Sequence, residues 1–115
     1  MHDLRQPTRA LREAIPEVWQ GFADLHRAAV ADGALSAAVK ELMALAISVA
    51  TGCDGCIGYH TQGAVRAGAT REQAAEAIGV ALLMTGGPAS THGPHALEAF
   101  DEFAAAAEAR AAGGS

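Results

Sequence analysis

The chain has 115 residues, enough for one domain and no second one. Half of it is apolar but only 4% is aromatic, so a core must be built from Ala, Leu, Val and Ile on closely packed helices. A net charge of −5, with 8 scattered Lys and Arg, provides no basic footprint for nucleic acid or an anionic membrane.

Residues Met1 to Pro16 carry Asp3, Arg5, Arg9, Arg12 and Glu13 without the apolar run of an export signal, and no later stretch is long and apolar enough to span a bilayer. A cytoplasmic location is therefore expected. Residues 1–7 are expected to be flexible, and Thr8 to Ala14 predicts a first helix. Pro16 suits the first position of a second helix, which runs to about Ala31 and is closed by Asp32-Gly33. In it Val18, Phe22, Leu25 and Ala29 recur at helical spacing, which predicts an amphipathic helix with that stripe on the core.

Ser36 caps a third helix through Glu41, Leu42, Leu45, Ala46 and Val49 to Thr51, and Gly52 offers a left-handed exit. This helix is apolar nearly all round, so it is expected to lie centrally or under other chains. Cys53 opens a fourth helix ending at Ala67-Gly68. Thr70 and Gln73 form a capping box for a fifth, which runs to Met84 or Thr85. The Gly86 to His95 segment reads as a loop near Cys53 and Cys56, or as a turn whose His92 and His95 cap the last helix. That helix starts near Pro94, carries Leu97, Phe100, Phe103 and Ala107 at helical spacing, and frays over 111–115. The expected fold class is all-α, a single-domain bundle of about six helices spanning 1–115.

The chemistry gathers around the two cysteines, Cys53 and Cys56. In a reducing compartment a C-x-x-C pair reads as catalytic or metal-binding before it reads as a structural disulfide. Across a helix start the two sulfurs can close a small ring, while the helix terminus favours thiolate. His60 lies four residues after Cys56 and leans back over it, which makes Cys56 the better-activated thiol. The third and fourth helices are joined by almost nothing, so they should form an antiparallel hairpin. Glu41 then lies about 15 Å below the turn on one arm and His60 about 11 Å below it on the other. A carboxylate on so apolar a helix needs a partner, and His60 across the hairpin can supply one, held by it in a single tautomer.

Read together as Glu41-x11-Cys53-x2-Cys56-x3-His60, these residues resemble the AhpD-like, carboxymuconolactone decarboxylase family. The likeness extends from Pro16-Glu17-Val18-Trp19 through Lys40-Glu41-Leu42 and Gly68-Ala69-Thr70 to Gly86-Gly87-Pro88 and His95-Ala96-Leu97-Glu98-Ala99-Phe100. The resemblance implies an AhpD-like all-α fold and an obligate homo-oligomer, a hexamer before a trimer. In members with the dithiol it implies hydroperoxide reduction or disulfide exchange without a cofactor. By that resemblance Cys56 is peroxidatic, Cys53 resolves, and Glu41 and His60 relay protons. An external dithiol, such as a lipoyl or thioredoxin-like carrier, restores the pair. The chain departs from the peroxidase pattern at Gly55, where a further relay His is expected.

Three other readings stay open. Cys53, Cys56 and His60, with His92 or His95, could hold a structural zinc. Lactone decarboxylation gives the family its name. A helical assembly module with inert thiols is the third.

Overall fold

The computed structural model describes residues 5–113, which form six α-helices, with no strand among the described residues. They are α1 (Arg5–Ala14), α2 (Pro16–Val30), α3 (Ala37–Thr51), α4 (Asp54–Arg66), α5 (Arg71–Thr85) and α6 (Gly87–Gly113). The all-α expectation is met. Of the segments expected to be flexible, residues 5–7 open α1 and 111–113 close α6; residues 1–4 and 114–115 lie outside the described residues.

Local signals end most of these helices. The Ser36 hydroxyl accepts from the Val39 N–H at the start of α3. At the start of α5 the Thr70 hydroxyl accepts from the Gln73 N–H, and the Gln73 side chain accepts from the Thr70 N–H, a complete capping box. Arg71 then donates to Asp101 through Nε at 2.8 Å, which ties the head of α5 to α6. That hydrogen bond and the Asp101 charge raise the Arg71 pKa above its ordinary value.

Helix α3 is central, packed against α2, α4, α5 and α6. It buries Glu41, Leu45, Ser48 and Val49 on one stripe, and Leu45 and Val49 are wholly enclosed. The facing helices contribute mostly small side chains: Ala64 from α4, Ala74 and Ala81 from α5, and Ala89, Gly93 and Ala96 from α6, with Ile57 and Phe100 as the larger members. Small residues let helix axes approach closely, which is how a chain so poor in aromatics fills its interior. Such a core depends on its few large side chains. Leu45→Ala is expected to lower stability by about 2–5 kcal/mol through the cavity it leaves. Urea denaturation at matched protein concentration would show this as a lower midpoint with an unchanged slope.

Two expectations are corrected. Helix α2 does not place Val18, Phe22, Leu25 and Ala29 on the core; Val18, Phe22 and Leu25 remain 67%, 62% and 65% exposed, and Ala29 is exposed as well. The half-buried positions are instead Trp19, Ala23, His26 and Val30, an equally helical stripe displaced by one residue. The cause is long-range. Helix α2 packs against α3 and is turned so that the edge carrying Trp19, Ala23, His26 and Val30, not the Val18, Phe22 and Leu25 edge, is the half-buried one.

The Gly86 to His95 segment is helix rather than loop, because α6 begins at Gly87. Pro88 lies in the first turn, where no N–H partner is needed, and the Ser90 N–H donates to the Gly86 carbonyl at 3.0 Å. Pro94 lies inside the helix and withholds one backbone hydrogen bond. Burial of Ala89, Gly93 and Ala96 on the same face offsets that loss.

Candidate functional site

The site is built on the α3–α4 hairpin. At its turn Gly52 takes a left-handed conformation with φ of 69°. Its N–H donates to the Val49 carbonyl while the Cys53 N–H donates to the Ser48 carbonyl, the paired bonds of a Schellman motif. A side chain at Gly52 would be strained there and would stand 2.8 Å from His92 Nε2. One residue later Cys53 caps α4, and its Sγ accepts from the Cys56 N–H at 3.3 Å. A helix end and a helix start thus meet back to back on the first cysteine.

Cys53 and Cys56 are joined as a disulfide, with Cα atoms 5.2 Å apart. Cys56 is exposed and Cys53 half-buried, so the two sulfurs differ in access. The free N–H groups and dipole at the head of α4 act on Cys53 as its capping residue. Helix α4 is continuous from Asp54 to Arg66, which keeps Cys56 and His60 on one face. Gly55, in the exposed first turn, adds no imidazole to this set.

The two arms of the hairpin meet through side chains as their register requires. His60 Nδ1 and Glu41 Oε1 are 2.9 Å apart, with the Glu41 side chain 7% and the His60 side chain 19% exposed. Donation from Nδ1 to an ionised Glu41 leaves His60 Nε2 with its lone pair, able to take a proton. Room for the carboxylate comes from Gly63 on α4, where a Cβ would lie 2.6 Å from Glu41 Cδ.

His92 lies beside the hairpin turn, half-buried on α6, with Nδ1 3.9 Å from Asp54 Oδ1 and Nε2 next to Gly52. His95 is exposed on the same helix. The metal set read from the sequence, Cys53, Cys56 and His60 with His92 or His95, is not the one brought together. Among the described residues, the His, Cys, Asp and Glu side chains with metal-ligand spacing are His26, Glu41 and His60, whose ligand atoms lie within 4.8 Å of one another.

His26 is the residue that sequence reasoning missed. It arrives from α2 with its ring stacked 5.6 Å from that of His60 and edge-on to Tyr59 at 5.0 Å. An open cavity of about 280 Å³ lies over this group, lined by His26, Glu41, Tyr59, Gln62, Gly63 and Arg66. The signal was the second stripe of α2, in which His26 alternates with Trp19, Ala23 and Val30; the stronger apolar stripe beside it obscured this.

Comparison with known proteins places these residues in a wider group. A model of the carboxymuconolactone decarboxylase family matches residues 16–102. An uncharacterized protein of Cupriavidus necator is 45% identical over 99 residues, covering 86% of this chain and 88% of that protein. The crystal structure of an apo carboxymuconolactone decarboxylase family protein from Legionella pneumophila superposes with a TM-score of 0.84 at 45% identity, covering 89% of this chain and 91% of that one. A Thermotoga maritima protein of known structure gives 0.71 at 33% identity, with 82% and 88% covered.

Proposed function

This chain belongs to the carboxymuconolactone decarboxylase family, and from that premise we propose that it is a dithiol oxidoreductase that reduces hydroperoxides through Cys56 and Cys53. The observation that carries the reading is a closed C-x-x-C pair at the head of α4 with the buried His60–Glu41 contact one turn behind it. The Cys56 thiolate attacks the terminal oxygen of ROOH, so an S–O bond forms as the O–O bond breaks. The departing alkoxide takes a proton relayed by His60 and leaves as ROH. The Cys53 sulfur then attacks the Cys56 sulfenic acid, forming the S–S bond as the S–O bond breaks, and the Cys53 thiol proton passes to the departing hydroxide, which leaves as water.

Recovery follows from the unequal access of the sulfurs. A thiolate of an external dithiol, of the lipoyl or thioredoxin type, attacks exposed Cys56 and expels Cys53 thiolate, which the Cys56 N–H and the helix terminus stabilise. The carrier's second thiolate then releases Cys56, and the carrier departs as its own disulfide. No bound cofactor enters any step. The cycle suits the cytoplasm, where such carriers are kept reduced.

Self-association accompanies this reading. Val18, Phe22 and Leu25 on α2 and Leu83 and Met84 on α5 are exposed, more apolar surface than a chain of this size leaves bare alone. A homo-hexamer is proposed first and a trimer next.

Gly55 favours a second reading, disulfide exchange alone, because it supplies no imidazole beside Cys56. Thiol titration separates the two. Under a modest excess of organic hydroperoxide, reduced wild type should lose both thiols, while Cys53→Ser should lose one and accumulate a sulfenic acid that dimedone captures. If hydroperoxide leaves the thiols intact and a small disulfide oxidises them rapidly, the exchange reading replaces the peroxidase.

A further inference from the structure

We propose that His26, Glu41 and His60 form a binding site for a divalent transition-metal ion of the zinc class, separate from the two cysteines. Two imidazoles and one carboxylate from three different helices place their ligand atoms within 4.8 Å of one another. Zinc bonds of about 2.0–2.1 Å require donors about 3.3 Å apart, a contraction that side-chain rotation supplies. Nitrogen and oxygen donors of this kind select zinc, cobalt(II) or nickel(II) over magnesium and calcium, which prefer all-oxygen cages. Three protein ligands leave a fourth position, and two of the three, His26 and Glu41, line the cavity of about 280 Å³.

An independent observation points to a ligand. His26 Nε2 is buried and has no hydrogen-bond partner, although Glu41 and His60 next to it are paired with each other. Buried imidazole nitrogens are ordinarily satisfied, and an ion is one of the few partners that could serve here. The ion would take the place of the proton between His60 Nδ1 and Glu41 Oε1, and that proton would move to His60 Nε2, so the neutral imidazoles and the carboxylate bind with no net proton release. It would also join α2 to the α3–α4 hairpin, adding a link where α2 buries no residue fully.

Metal binding does not rest on the redox reading, but it has a consequence within it. The ion and the proton relay need the same Glu41 and His60 atoms, so zinc and hydroperoxide turnover exclude each other. The site therefore acts as a brake on thiol chemistry when free zinc rises.

The test uses full-length protein, purified without a metal-affinity tag and held in the disulfide form, so that neither sulfur can be a ligand. Isothermal titration with zinc should give one ion per chain. The affinity should fall on the order of tenfold or more in both His26→Ala and His26→Gln, and persist in the Cys53→Ser/Cys56→Ser double variant. Cobalt(II) should give visible bands of a four-coordinate site without sulfur charge transfer. Zinc should raise the melting temperature of wild type, and neither His26 variant should share that rise. Absence of binding to the disulfide form, an affinity unchanged in both His26 variants, or binding lost with the cysteines would each overturn the proposal. None of these results alters the thiol assay above, so the two readings fail separately.

Discussion

Cys56→Ser is expected to reduce hydroperoxide turnover by on the order of 10³-fold or more, to the rate of the reagents alone. A serine hydroxyl in this position is not ionised near neutral pH and forms no sulfur–oxygen bond with a peroxide. Cys53 is half-buried and held against the Cys56 N–H, so it cannot take over the exposed role. Turnover by stopped-flow with a regenerating dithiol measures this directly. Stability needs its own comparison, because the variant also loses the Cys53–Cys56 cross-link. Closing so short a ring is worth about 2 kcal/mol by chain entropy, so reduced wild type is the proper reference. Retention of more than a tenth of wild-type turnover by Cys56→Ser would assign the attacking role to Cys53.

Gly63→Ala is the second large effect, and it acts without touching a cysteine. The new methyl would stand 2.6 Å from Glu41 Cδ and closer still to Oε2, so the carboxylate must leave its place opposite His60. Thiol oxidation should slow by about 10- to 100-fold, matching Glu41→Gln, because His60 loses the group that holds its tautomer. Two stability effects compete. Alanine in mid-helix gains up to about 1 kcal/mol over glycine, whereas overpacking beside a buried carboxylate costs about 1–3 kcal/mol. Overpacking wins, since Glu41 is only 5% exposed and has little freedom to move aside. Gly58 on the same helix is the control, because a Cβ there meets nothing within 4 Å, and Gly58→Ala should therefore be stabilising. Thermal melts of the two variants with parallel thiol assays test the pair. Unchanged oxidation by Gly63→Ala would remove Glu41 from the relay.

What the amino-acid sequence determined by itself is what short-range chemistry controls. Ser36, Thr70 with Gln73, and Gly52 end their helices through bonds to atoms a few residues away, so the termini of α3, α4 and α5 could be read directly. The meeting of Glu41 and His60 was legible for a related reason. With a turn of two residues between α3 and α4, similar distances along the arms bring Glu41 and His60 to nearly the same level. Tertiary structure alone decided the rotation of α2 and the start of α6. Two stripes on α2 have helical spacing, and only its packing against α3 selects the one containing His26 over the more apolar Val18, Phe22 and Leu25. Gly87, Pro88 and Pro94 are poor helix residues locally, and only burial of Ala89, Gly93 and Ala96 in the core makes helix the lower free-energy state. Caps and short turns act within a few residues of chain, whereas helix rotation and the burial that overrides propensity depend on partners far away in sequence.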